Sequence, residues 1–432
     1  DLIGALMLAL SAVFFIPLYI RIQLCTMTEF LERRYGRGAK LIYSLTFLLT
    51  SILTMPPGIY LGGLAMLGLF GLPNDYLTVA CLIVGGSVGL YAVLGGLTAV
   101  VKTDLIQASL MIVGGLIVTA LAVSRVGGLG ALYEAAPRLH FELLQPAGSL
   151  MPWTALPGVV IASAFFAFCN AGMLQRVLGA RDVRHAQLGM LFAAFLKLLS
   201  IPLFAIAGMA AIQIFPEAGG DKTYALLVGE LLPVGLSGIV MAGLFSALLS
   251  SADSGVNAIS SVVAYDIHPL INRKASTEDR LRFGKKTAAA IVIFAVLTAP
   301  FAQVIDNVYL FVLRLHGYLV LPIGVAFMFG RFMRRINNTA ALVTMATGMV
   351  LGLAYVISTS VPALTAHLPS WLAGLHFYEL LPFLWGGLVV LLLAVSYLTA
   401  PPPPEKLAVL DASRADPALA TWAQVPVWKS FQ

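Results

Sequence analysis

Charge is scarce in this chain of 432 residues. Asp, Glu, Lys and Arg together make up 11% of it, against 59% hydrophobic residues. With a mean hydropathy of +0.93, so little charge excludes an ordinary soluble domain, whose surface needs about a quarter of its residues charged. Cysteine is scarce too: Cys25, Cys81 and Cys169 lie far apart, with no CxxC pair, which excludes a disulfide framework and a thiolate metal site. There is no P-loop, no HExxH and no nucleophile elbow, and the histidines do not cluster. Nucleotide-driven and hydrolytic chemistry lose their usual signatures, and an enzyme is not expected. The net charge of +6 sits in short basic clusters between apolar stretches rather than along one face, so nucleic acid is not an expected partner.

Long apolar runs are what the chain does have. Segments able to cross ~30 Å of hydrocarbon fall near residues 2–22, 41–70, 76–95, 101–124, 153–178, 187–214, 236–268, 284–304, 307–330, 339–360 and 378–399. This predicts an all-α polytopic membrane protein of about eleven transmembrane helices over residues 1–400, then a tail over 401–432 stiffened by Pro401 to Pro404. Alternating crossings put all but five of the 26 Lys and Arg on one side. Arg125, Arg138 and Lys222 fall opposite, while Lys197 and Arg314 lie within spans. By the positive-inside rule the loops at 23–40, 176–186, 269–286 and 331–338 and the tail are cytoplasmic, in a plasma or inner membrane. Pro17, Pro56, Pro57, Pro202 and Pro322 interrupt spans, where kinks free carbonyls. Gly58 with Gly62 and Gly85 with Gly89 have the spacing of close helix packing.

One span carries a buried polar stripe. Ser246, Ser250, Asp253, Asn257 and Ser260 recur at steps of three and four and share one side of a helix. A carboxylate at membrane depth costs roughly 2.5–3.5 kcal/mol on insertion scales, so it faces a partner, water or a cation. The stripe points to an ion or solute pathway.

Four stretches carry a further reading: TMTEFLERRYG (26–36), GGLTAVVKTDLIQ (95–107), CNAGMLQRVLGARDVRHAQLGMLFAAFLKLL (169–199) and SALLSSADSGVNAISSVVAYDI (246–267). In order and spacing over roughly residues 25–340 they resemble the sodium/solute symporter family, closest to its sodium/glucose cotransporter branch. The resemblance implies a leucine-transporter-type inverted repeat with alternating access, and a function of importing a small polar solute, a sugar or sugar-like molecule, with sodium as coupling ion and no other cofactor. A carrier that has become a transport-dead sensor or scaffold is the reading from another class.

The resemblance also implies sites. Ala247, Ser250 and Ser251 match a sodium site, the alanine through its carbonyl and the serines through their hydroxyls, oxygens that a hard cation wants. Asp104 matches an aspartate of a second cation site, with Asp253 and Ser254 on the facing helix; two carboxylates there need a cation or lysine between them. Asp104 could instead pair with Lys102 or a cytoplasmic arginine. Lys197, Ser163, Phe166 and Asn170 match solute contacts, although Lys197 could pair with an aspartate or snorkel. At the aromatic pair of the sugar branch stand Phe166 and Ala167, and at its sugar-binding glutamine stands Leu313, followed by Arg314. Arg314 could hold a carboxylate bidentately, which makes an acidic sugar or small organic acid the alternative solute, or it could pair with Asp306. The family's first core helix would precede residue 1, so a partial chain is expected.

Overall fold

A computed structural model describes residues 1–432 except 25, 137–143, 147–148, 150–151, 218–222, 306, 361–368, 370–374 and 412–432. At 69, 91–103, 225, 234, 246, 248–254 and 360 it describes the backbone alone. Helices dominate. Among the described residues, eight are long and apolar enough to cross a membrane, and three shorter apolar stretches, Leu2–Phe14, Asn74–Leu90 and Gly235–Phe245, fall on the remaining expected spans.

Prolines set several breaks. Helix α1 (Leu2–Phe14) stops just before Pro17, and α2 (Ile16–Arg21) resumes with that proline in its first turn, where its missing N–H costs nothing. After α3 (Met27–Arg34), α4 (Arg37–Phe70) carries Pro56 and Pro57 inside it. Pro202 sits in a π-turn, Ile201–Ala205, between α9 (Val183–Leu198) and α10 (Ile206–Ile214); Pro322 opens α16 (Leu321–Phe332), straight after the π-turn His316–Val320 that follows α15 (Val308–Leu315). One expectation is corrected. The spans at 76–95 and 101–124 form a single continuous helix, α5 (Leu77–Arg125), because the residues between them hold one glycine, Gly96, which weakens a helix, but no proline, which would break it.

The remaining helices are α6 (Leu129–Ala135), α7 (Leu156–Cys169), α8 (Ala171–Leu178), α11 (Thr223–Leu231), α12 (Val234–Val262), α13 (His268–Ile271), α14 (Thr277–Thr298), α17 (Asn338–Ser360), α18 (Phe377–Leu398) and α19 (Pro404–Asp411). Buried side chains form three clusters. The first joins α1, α7, α8, α9, α16, α17 and α18 with the start of α4. The second joins the far half of α4, the start of α5, the last turns of α12 and α14. The third joins the end of α5, α10, α11 and the start of α12.

Glycine lets backbones touch at three crossings. A Cβ on Gly158 would strike the Tyr378 carbonyl, one on Gly352 the Tyr318 carbonyl, and one on Gly284 the Ser260 carbonyl. Backbone cannot rotate away as a side chain can, so Gly352→Ala is expected to destabilise the protein by about 1–3 kcal/mol, read as a lower midpoint of thermal unfolding in detergent. Of the expected glycine pairs, Gly85 and Gly89 do pack, against Val296 and Val292 of α14, whereas Gly58 faces open space.

The start of the tail is docked. Val409 and Leu410 are buried, Lys406 Nζ donates to the Glu32 carbonyl at 3.1 Å, and Arg334 pairs with Asp411 at 2.5 Å. The tail thus shares a face with the loops at 23–40 and 331–338.

Candidate functional site

The chain breaks between α7 and α8 at Asn170, whose backbone is extended (φ −69°, ψ 117°). A helix end strands its last carbonyls, and inside a membrane each must find a donor. Three buried side chains supply them. Ser11 Oγ donates to the Ala167 carbonyl at 2.8 Å, Tyr19 OH to Phe168 at 2.7 Å and Tyr43 OH to Cys169 at 2.6 Å. The Tyr43 oxygen also accepts the Ala171 N–H at 3.1 Å, and Asn170 Oδ1 caps α8 by accepting the Met173 N–H at 3.0 Å. A serine and two tyrosines from α1, α2 and α4 therefore hold the break open as a fixed feature of the fold.

Ser163, Phe166 and Asn170, spaced by three and four, lie on one side of this broken helix. Phe165 and Phe168 turn inward, onto Gly324 and in a 4.4 Å stack on Phe15. Phe166 turns away and is 52% exposed, while Ala167 is buried. The two positions of the expected aromatic pair thus face different ways, as consecutive residues on a helix must.

Of the expected cation ligands, Ala247 is half-buried in the unbroken α12. The side chains of Ser250, Ser251, Asp253 and Ser254 lie outside the described residues. The Asp104 carboxylate pairs with Arg176 of α8 at 2.9 Å, so of its open alternatives a basic partner is present. Lys197 pairs with Asp1 at 3.1 Å and is 45% exposed. Arg314 is half-buried and has no ion pair among the described residues, and Asp306 lies outside them. Burial holds the nearby His376 imidazole below its usual pKa, opposed by Glu379 and reinforced by the Arg314 charge.

Two further constructions escaped the sequence reading. At the far end of α12, Asp266 is buried in the π-turn Val263–Ile267. Its Oδ2 accepts from Thr28 Oγ1 at 2.5 Å and Ser44 Oγ at 2.9 Å. Lys40 Nζ lies 3.2 Å from Oδ1, an ion pair without hydrogen-bond alignment, and 2.7 Å from Glu32. Second, the fully buried Arg34 donates to the carbonyls of Gly330, Met333, Arg334 and Ile336, closing the end of α16. Thr28 and Arg34 both stand in TMTEFLERRYG, a polar run that needed an explanation; their partners lie more than 200 residues away, and no spacing rule reaches that far.

Comparison with known proteins agrees with this architecture. Over 460 residues the chain is 29% identical to the dog sodium/myo-inositol cotransporter, covering 93% of this chain and 63% of that protein. It is 29% identical to the sodium/glucose cotransporter of Vibrio parahaemolyticus, covering 79% of this chain and 68% of the relative. The chain thus spans less than two thirds of the dog protein's length. Its fold matches that of a Na+-coupled sialic acid symporter solved in a substrate-bound outward-open state, with a TM-score of 0.76 at 22% identity, over 93% of this chain and 83% of that one. This places it in the leucine-transporter type. The model of the sodium:solute symporter family matches residues 2–348, and with four-fifths of its length so matched, this chain belongs to that family.

Proposed function

We propose that this chain is the membrane-embedded part of a sodium-coupled symporter that imports a small polar solute, a sugar or polyol, by alternating access. The observation that carries the reading is the helix broken at Asn170, with the carbonyls of Ala167, Phe168 and Cys169 held by Ser11, Tyr19 and Tyr43. Discontinuous helices at membrane depth are where such carriers bind. Because the last three carbonyls of α7 are taken up by the protein itself, solute contacts fall to side chains: Ser163 and Phe166 on α7, Asn170 at the break, and Lys197 on α9. Sodium is assigned to the Ala247 carbonyl and the hydroxyls of Ser250 and Ser251, with Asp104, Asp253 and Ser254 as the second cation site. The relatives' names, myo-inositol and glucose cotransporters, support a neutral polyol. One sodium ion crossing ~100 mV supplies about 2.3 kcal/mol, enough for a roughly fifty-fold solute gradient.

Arg314 favours a second reading, an acidic sugar or small carboxylate, because a half-buried guanidinium without an ion pair among the described residues suits a bidentate carboxylate. The two readings separate in a thermal-stability screen of purified protein with myo-inositol, glucose and N-acetylneuraminate, in sodium against potassium. A neutral-solute carrier is stabilised by one of the first two in sodium alone, and Arg314→Gln leaves that shift in place. A carboxylate carrier responds to the third, and Arg314→Gln removes the response. Equal shifts in sodium and potassium contradict both.

A further inference from the structure

Gln175 and Arg176 are neighbours on α8, and each reaches to a different helix. Gln175 Nε2 donates to Ser261 Oγ on α12 at 2.5 Å. Arg176 Nη2 pairs with Asp104 Oδ2 on α5 at 2.9 Å. Consecutive residues on a helix point about 100° apart, so the two contacts clamp α8 in two directions. They also join different parts of the molecule. Helix α8 belongs to the first buried cluster through Ala171 and Leu174, whereas the last turns of α12 and the two ends of α5 belong to the second and third.

Between this clamp and the broken helix lies a cavity of about 10 Å³, room for about one water, lined by Thr26, Met27, Ala171, Gln175, Ala258 and Ser261 among others. Along α8 it runs from Ala171, the first residue past the break, past Gln175 to Leu178, about 10 Å. A solute leaving the break along α8 meets these contacts first.

We propose that Gln175 and Arg176, with Ser261 and Asp104, form the gate that closes the broken helix toward the face carrying α3, and that both contacts part once per transport cycle. The inference rests on the transport reading but adds which residues move. A contrast within the structure supports it. The Asp266 cluster nearby also ties α12 to α3 and α4, but its carboxylate is 1% exposed and met by three partners, which makes it an anchor. The Arg176 and Asp104 side chains are 37% and 21% exposed. An ion pair that reaches the surface costs less to part than an enclosed one, as a gate requires. Asp104 on this account is a positioning residue that sets how often α8 swings free.

The test reads accessibility rather than transport, so it stands apart from any failure of uptake. Ala258→Cys places a thiol in the small cavity. Membrane vesicles are treated with a charged methanethiosulfonate on the face bearing α3, and modification is followed by peptide mass spectrometry, which separates this thiol from Cys169. The gate predicts slow modification in the otherwise unaltered protein and about fivefold faster modification in Arg176→Gln or Asp104→Asn, the population shift a partly exposed ion pair can hold. The slow rate returns in the exchanged pair Arg176→Asp with Asp104→Arg. Gln175→Ala, which keeps the ion pair, also speeds modification and serves if Arg176→Gln does not fold. Unchanged rates in the single variants overturn the proposal. So does a fast rate that the exchanged pair fails to slow, since that marks lost packing rather than an open gate.

Discussion

Lys40→Met is expected to lower stability by about 3–5 kcal/mol, the cost of removing one partner from a buried ion pair. The Asp266 carboxylate would remain enclosed with only the Thr28 and Ser44 hydroxyls as donors, and two neutral donors do not replace an ammonium at 3.2 Å. Glu32 would also lose its 2.7 Å partner, but it is a third exposed and water can take over. The double variant Lys40→Met with Asp266→Asn removes both charges and should recover most of the loss, because the penalty comes from the stranded carboxylate rather than from the pair's own worth. Thermal unfolding in detergent checks this. A single variant as stable as the parent protein would show that Asp266 is not held as described.

Ser250→Ala with Ser251→Ala is expected to raise the sodium concentration needed for solute binding by about a hundredfold or more. A sodium ion held by the Ala247 carbonyl and two hydroxyls loses two oxygens in the double variant. Taking an ion–hydroxyl contact as comparable to a hydrogen bond to a charged group, about 1.5–3 kcal/mol, each replacement raises the sodium concentration needed by about tenfold or more. Alanine keeps the helix and removes no packing atom but the oxygen, so the fold should survive. The check is the midpoint of the sodium titration of solute binding. A midpoint unmoved in the double variant would take the ion away from α12.

The fold was legible because hydrocarbon imposes strict rules on sequence. Eleven apolar runs separated by basic clusters leave few arrangements, and the run from Thr26 to Gly36 together with the serine stripe on 246–260 marked the family. The stretch CNAGMLQR singled out Asn170, where the helix breaks, while its surroundings were not legible. Tyr43 is 126 residues from the carbonyl it holds and Tyr19 is 149 from its own, and an isolated tyrosine in an apolar run reads as a membrane-interface anchor as readily as a donor. The continuity of α5 was missed because a glycine-rich stretch with one lysine looks like a turn. At Asp104 the sequence shows a carboxylate open to a cation or a basic partner, but not which arginine lies 2.9 Å from it.

The most direct test is solute accumulation by the full-length protein in proteoliposomes, with labelled myo-inositol, glucose and N-acetylneuraminate offered separately. Under an inward sodium gradient, at least one solute should concentrate above its level outside, and replacing sodium by potassium should leave only equilibration. Asn170→Ala should remove the accumulation. Equal uptake in sodium and potassium, or none of the three solutes accumulated by the native protein, would contradict sodium-coupled transport of this solute class at the broken helix.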